Sequence, residues 1–368
     1  MGDLSGAFAD LGTFLPLVIA LLVLGRFDPT GLLIGFGLFA IATGMIYRLP
    51  IPVQPMKLVA ALAIAGGLSA DALMASGMLL GLALLLLGSS GLIGHIRKLV
   101  PRTVLAGLQL ALGLHLLVVS VDLAQSAFDQ GLMALGLFLL LLATPLRSMA
   151  CILLVIAGIA WSLLADGADL PAFAPALHLP AIGIPAWGAF GEAAISTFWP
   201  QLALTLTNAV LLTSVLAADY FPERRPDASA KRLAMSSGAL NLLLAPIGAM
   251  PMCHGAGGLA AQYHQGARSG LAPITFGATC LTLGVLAGPL AVDLLLLVPL
   301  PMVAVLLGYA GFQLLMTGNV PHASWTCRAV IALTALVSIG VNVAVGLAAG
   351  LIIELIRSTV SNLRQPTV

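Results

Sequence analysis

Two stretches of the chain combine prolines, small residues and donor-bearing side chains within otherwise apolar sequence: PIPVQPMKLVAAL from Pro50 and MPMCHGAGGLAAQYHQGARSG from Met250. Proline fixes its own φ, lacks an N–H and pushes the preceding residue toward extended backbone. Each stretch is therefore expected to run extended before it turns helical. A helix start leaves N–H groups without partners and carries about half a positive charge. Two such starts aimed at one point make a site for an anion before any side chain is counted.

Side chains add to it. Lys57 falls in the first turn after Pro55, inside an apolar run, where an unpaired charge is expensive. A bound dianion would pair it, as would a bridge to Asp10 or a reach to the interface. His254 is read as the counterpart of Lys57, either a donor to an oxyanion or a proton sensor, with a histidine satisfied inside the core as the plainer alternative. Gly255 and Gly257 permit close approach of backbone to a ligand, whereas Gly258 suits helix packing. TFWPQLALTLTNAVLLTSVLAADYF, from Thr197, places Gln201, Thr205 and Asn208 on one helical face, and a polar stripe must turn away from lipid. In FADLGTFLPLVIAL, from Phe8, Thr13 is a further candidate, and Asp10 is a proton carrier or a helix cap. Cys151, Cys253, Cys280 and Cys327 show no metal-ligand spacing and read as small apolar filler, so no metal or cofactor is expected.

A membrane bundle must hold these residues. Of 368 residues, 60% are hydrophobic and 8% charged, whereas soluble domains are about a quarter charged. Apolar runs lie near 8–25, 29–47, 51–67, 70–90, 99–121, 131–145 and 148–165, then near 197–218, 231–249, 251–265, 270–288, 294–316, 324–340 and 342–357. They are read as about 14 transmembrane segments of one all-α polytopic domain, 1–368. A net charge of +1 without a basic run excludes nucleic acid as a partner. The N-terminus lacks the features of a signal peptide, so the first run is expected to stay, and no soluble domain is expected at either end.

Basic residues such as Arg48, Arg102, Arg147, Arg224, Arg268 and Arg328 fall in alternate breaks, and Asp28, Asp71, Asp122, Asp169, Glu192 and Asp293 in the others. That bias puts both termini in the cytoplasm. Thr13, Phe14 and Pro16 recur as Thr197, Phe198 and Pro200, Pro55 and Met56 as Pro251 and Met252, and LVPRTVLAGLQLALGLHLL from Leu99 as LVPLPMVAVLLGYAGFQLL from Leu297. With seven segments in each half, the second copy would be inverted. The repeats span about 1–170 and about 190–360, with half-helices at segments 3 and 10.

On FADLGTFLPLVIAL, PVQPMK, PQLALTLTNAV and PMCHGAGGLAAQYHQGARSG, which together reach through both halves, the chain resembles the molybdate transporter family related to the sulfate permeases. The resemblance implies a seven-plus-seven inverted repeat with core and gate domains, and import of an oxyanion across the plasma or inner membrane. It carries a substrate site onto Gln54, Pro55, Met56 and Lys57, onto Gln201 and Asn208, and onto Cys253, His254, Gly255, Ala256 and Gly257. Sulfate permeases often hold a carboxylate in the eighth segment and a C-terminal regulatory domain. Neither is expected here, since no acid occurs in that segment before Asp219.

The expected function is secondary active transport of a small tetrahedral oxyanion by alternating access, with molybdate ranked ahead of sulfate. Proton or sodium coupling and a homodimeric assembly stay open. A nucleobase permease would more naturally offer a carboxylate from the eighth segment. An enzyme would need paired acids or a Ser–His dyad at membrane depth, and none is convincing. A passive anion channel is the remaining rival.

Overall fold

The computed structural model describes residues 2–93, 101–172, 176–224, 227–317 and 323–363. In chain order its helices are α1 (Gly2–Ala7), α2 (Leu11–Val23), α3 (Pro29–Tyr47), α4 (Lys57–Ile64), α5 (Ala70–Ser90), α6 (Arg102–Ala124), α7 (Phe128–Leu142) and α8 (Ala150–Leu164). They continue as α9 (Trp187–Tyr220), α10 (Ala230–Leu244), α11 (Ala256–His264), α12 (Leu271–Leu296), α13 (Leu300–Thr317), α14 (Trp325–Gly340) and α15 (Val343–Leu363). Two short strands, β1 (Gln54–Pro55) and β2 (Met252–Cys253), form the described sheet. Leu99 and Val100, which open one copy of the repeated LVP motif, lie outside the described residues.

Among the described residues five helical stretches are long and apolar enough to cross a membrane: Pro29–Tyr47, Ala70–Ser90, Arg102–Leu142, Trp187–Tyr220 and Leu271–Leu296. Four shorter apolar helices accompany them. Side chains such as Leu86, Leu139, Leu140, Leu336 and Leu355 are more than half exposed. Water disfavours that surface and acyl chains do not.

Helix ends follow local chemistry. Asp28 accepts from the Gly31 N–H at 2.7 Å to start α3, and the Ser69 hydroxyl accepts from the Ala72 N–H at 3.1 Å to start α5. At the far end of α3, Arg224 donates to the carbonyls of Arg48 and Tyr47 at 3.0 and 3.2 Å, and Arg232 to that of Ile46 at 3.4 Å. Guanidinium groups suit the negative end of a helix. The opposite end of the bundle is acidic: Asp71 accepts from the Ala186 N–H, and Glu192 from the N–H and hydroxyl of Ser69.

Three boundaries depart from expectation, one of them the end of α12, which runs on through a kink at Ala287 to Leu296 and so holds Asp293 inside a helix rather than in a break. The first apolar run is broken at 8–10, so that α1 and α2 are separate. The helix expected from Thr197 starts instead at Trp187, and Glu192 lies inside α9 rather than in a loop. The single acid in WGAFGEAAIS sits where the helix emerges, so it does not prevent winding.

The helices pack as two groups through small residues. In the first, α3 lies against α12 and α5 against α10; in the second, α6 lies against α13 and α14, α13 against α7, and α14 against α15. A Cβ at Gly37 would sit 2.7 Å from Leu281, and one at Gly277 would sit 2.7 Å from the Gly37 carbonyl. Gly81 and Gly238 meet each other's carbonyls at 2.9 and 2.7 Å in the same sense, and Gly113 and Gly311 do so at 2.8 Å. With no hydrophobic drive between helices in lipid, such close backbone approach supplies the packing energy.

Gly277→Ala should therefore lower stability by about 1–3 kcal/mol through overpacking, read as a lower melting temperature in detergent. Gly136→Ala, which meets nothing within 4 Å, should leave it unchanged or raise it slightly. Equal melting temperatures for the two variants would contradict the packing account.

Candidate functional site

The two proline-rich stretches meet side by side. β1 pairs antiparallel with β2, Gln54 opposite Cys253 and Pro55 opposite Met252, and the Met56 N–H donates to the Pro251 carbonyl at 2.9 Å. Proline cannot extend such a ladder, so side chains complete it. Asn241 of α10 accepts from the Met252 N–H at 2.8 Å and donates to the carbonyls of Met252 and Ser237, both at 2.7 Å. Gln201 of α9 accepts from the Leu58 N–H at 3.0 Å, in the first turn of α4, and donates to the Thr205 hydroxyl at 2.9 Å. The residues preceding α4 and α11, Met56 and Gly255, have no side-chain oxygen with which to cap. Both helix starts therefore keep free N–H groups and positive potential.

A cavity opens beside this crossing. Gln54, Pro55 and Lys57 line it together with Cys253 and His254, Gln201, Leu204, Thr205, Asn208 and Ala209 of α9, Gln109 and Leu112 of α6, and Leu314 of α13. It offers about 30 Å³ to the centres of water-sized molecules, where one water takes up about 10–15 Å³. That is room for a few waters or a small ligand. The lining carries one ammonium, that of Lys57, and no carboxylate. Among the described residues the side chains of Lys57, Gln109 and Asn208 make no hydrogen bond or ion pair, and the described ion pairs involve Arg224, Arg232 and Arg357 instead. Three donors from three helices thus face the cavity without a protein acceptor.

Of the residues singled out in the sequence, Gln54, Pro55, Lys57, Gln201, Thr205, Asn208, Cys253 and His254 line the cavity, whereas Thr13, Met56, Gly255, Ala256 and Gly257 do not. Their chemistry also departs from expectation. Gln201 and Thr205 are spent on each other and on the start of α4, which leaves Asn208 as the free amide of that stripe. The stripe sits where α9 widens to π geometry, over Thr205–Leu212, rather than on a regular α-helix.

His254 is not the counterpart of Lys57. Lys57 is the first residue of α4 and Ala256 the first of α11, so His254 precedes its helix by two residues. Its Nδ1 lies 3.1 Å from the Pro52 carbonyl, which can only accept, and its Nε2 3.3 Å from the Ser236 hydroxyl. Phe39 and Tyr47 pack edge-on against the ring. The imidazole N–H is thereby committed to the fold, and the expected donor or proton sensor becomes a satisfied core histidine.

Asp10 stands just before α2 but does not cap it. Its carboxylate accepts from the Gln54 amide instead, and forms no ion pair with Lys57. A side chain at Gly255 would collide with Gln54, and one at Gly258 with Asp10 and Gln54. These glycines admit that contact rather than a ligand; Gly257 meets open space. Gln109 and Asn241 went unnoticed in the sequence. Their signal was a lone amide within an apolar helix, where a polar group must find a partner or a cavity.

Comparison with known proteins gives a family and a fold. A family described as "Molybdate transporter of MFS superfamily" matches residues 2–116 and 193–314. Molybdate transporter 2 of Arabidopsis thaliana is 30% identical over 96% of this chain and 86% of its own length. Molybdate transporter 1 of the same plant is 30% identical over 95% and 86%. Among solved structures, the transmembrane domain of a cyanobacterium bicarbonate transporter, BicA, superposes with a TM-score of 0.66 at 18% identity, covering 95% of this chain and 96% of that one. Murine Slc26a9, an anion transporter in the inward-facing state, gives 0.72 at 12% identity, covering 98% and 68%.

Because Asn241 satisfies both polar groups of Met252, Asn241→Ala should cost about 1–3 kcal/mol for each group left unpaired. The expected result is a folded but less stable protein, seen as a fall in melting temperature in detergent. An unchanged melting temperature would show that β2 does not depend on this clamp.

Proposed function

We propose, from the premise that this chain belongs to the molybdate transporter family, that it moves molybdate through the cavity beside Lys57 by alternating access. As a member it is an integral membrane protein and a transporter of an anion, not an enzyme. The observation that carries the cargo reading is the lining itself: one ammonium, two unpartnered amides and no carboxylate among the described residues, next to a helix start of which Gln201 takes only one N–H. Such a site favours a compact, multiply charged acceptor, because each free N–H finds an oxygen and the charge finds a counter-charge. A nucleobase would instead be expected to meet a carboxylate, which this lining lacks.

The substrate set in this reading is Lys57, Asn208 and Gln109 as direct donors, with Gln54, Pro55, Cys253 and the Gln201–Thr205 pair as the frame. The helix groups take the roles of core and gate. Lys57 comes from α4 and Asn208 from α9, which touch α5 and α10 of the first group, and Gln109 and Leu314 come from the second. A ligand held between two bundles is released when one tilts against the other, the usual form of alternating access around a fixed site.

Reciprocal contacts support a seven-plus-seven inverted repeat, about 1–170 and 190–360. If α3 corresponds to α10 and α5 to α12, the Gly37–Gly277 crossing is the counterpart of the Gly238–Gly81 crossing. Gly113 and Gly311 occupy the same place in the two LVP motifs and touch each other. The arginine-rich end, with Arg48, Arg224 and Arg232, is the cytoplasmic one in this reading, as the charge rule requires.

Lys57→Ala should weaken molybdate binding by about 1.5–3 kcal/mol, the scale of a hydrogen bond to a charged group, and Gln109→Leu by about 0.5–1.5 kcal/mol. Equilibrium binding to purified, monodisperse protein in detergent, with sulfate as competitor, measures both. Wild-type affinity in both variants would move the site elsewhere. Sulfate binding tighter than molybdate would replace the cargo.

A further inference from the structure

A second, smaller cavity lies where the break between α1 and α2 meets the extended stretch ahead of β1 and one face of α11. Its polar lining is Asp10 and Gln262, and apolar groups such as Leu11, Phe14, Val53 and Phe276 complete the wall. It offers about 10 Å³ to the centres of water-sized molecules, roughly enough for one water. Gln262 is 3% exposed, and its Oε1 has no donor among the described residues. Asp10 also offers only acceptor oxygens while ionised, one of them already taken by the Gln54 amide. Two acceptors thus face a space of one water: the Asp10 carboxylate, which Gln54 and Thr13 already serve, and the Gln262 Oε1, which no described donor serves.

A hard metal cation gathers about six oxygens, which this largely apolar wall does not supply. A proton needs no such shell. On the Asp10 carboxyl it creates one O–H donor, the group that Gln262 lacks, either directly or through a single water. We propose that this cavity is a proton site, with Asp10 as the carrier that couples proton movement to anion movement; the inference rests on the anion reading above.

Gln54 and Lys57 supply the link. Gln54 donates to Asp10 and also lines the anion cavity, so one side chain separates the two sites. Lys57 acts on Asp10 through space and lines the anion cavity as well. The other groups facing Asp10 from α11, α12 and the stretch ahead of β1 are Gln262, Pro273, Phe276, Pro52 and Val53, none of which carries a charge. A dianion that engages Lys57 removes the neighbouring positive charge from Asp10 and brings negative charge toward it. Both changes favour protonation. By reciprocity a proton on Asp10 tightens anion binding by the same factor. The proton comes from water on the side where the anion enters and leaves with it on the other.

The experiment uses the full chain in proteoliposomes, wild type and Asp10→Asn, with labelled molybdate. Exchange of molybdate across the membrane without any gradient should survive in Asp10→Asn. Accumulation driven by an inward proton gradient should fall about tenfold or more, within the usual range of site coupling. Wild-type affinity should tighten as pH falls and that of Asp10→Asn should not, since the protonated carboxyl is the form that favours the anion. Proton uptake on adding molybdate to weakly buffered wild-type protein gives a readout independent of the variant. Undiminished proton-driven accumulation in Asp10→Asn, no proton uptake by wild type, or wild-type accumulation driven by a sodium gradient at equal pH would each overturn the proposal. Wild-type protein that exchanges no molybdate would instead overturn the anion reading and remove the ground for this one.

Discussion

The structure turns on one constraint: backbone broken at membrane depth must find hydrogen-bond partners within the protein, because lipid offers none. Around Pro50–Met56 and Met250–Gly255 the helical ladder is lost, and each unmet polar group there would cost several kcal/mol. β1 and β2 satisfy part of the shortfall by pairing with each other, Asn241 closes the ladder on one side, and Gln201 takes one N–H of α4 on the other. What these partners leave unmet is positive: the remaining N–H groups of the helix starts and the ammonium of Lys57. The site is the residue of an almost complete hydrogen-bond account, and its sign follows from the fact that helix starts expose donors and not acceptors.

The breaks themselves were legible in the sequence, because proline acts on its own backbone and on its immediate neighbour. PIPVQPMK and MPMCHGAGG dictate extended chain followed by helix whatever surrounds them, and β1–α4 and β2–α11 follow that pattern. The amphipathic stripe Gln201–Thr205–Asn208 was legible for the same local reason. Partner choice was not. His254 is a plausible donor until Pro52 and Ser236 are seen to occupy both ring nitrogens. Asp10 has the position of a cap, yet Gln54 takes its carboxylate across the break. Gln109 becomes part of the cavity only because α6 crosses the broken segments, a contact that no periodicity announces. Rigid local chemistry thus transmits through sequence, whereas the pairing of polar groups depends on distances that tertiary packing alone sets.

In the proposed alternating-access reading, the same economy of polar groups separates a mobile from a fixed part. Within each helix group glycine crossings bring backbones together, as at Gly37 and Gly277 or Gly113 and Gly311. Across the cavity the groups meet through Lys57, Asn208, Gln109 and Leu314, with two amides and an ammonium unpaired. An interface whose polar groups are incomplete without a ligand closes more readily with one, and its closure is tied to occupancy by the differential contacts the ligand makes. Binding and movement then draw on the same few hydrogen bonds.

The central claim, a dianion held beside the start of α4, can be read directly from the anomalous scattering of molybdenum in crystals grown with molybdate. The account predicts one strong peak inside the cavity, within hydrogen-bonding reach of oxygens contacting Lys57, Asn208 and Gln109, and its loss in Lys57→Ala crystals. A strong peak elsewhere in the protein, with this cavity empty at saturating molybdate, would contradict it.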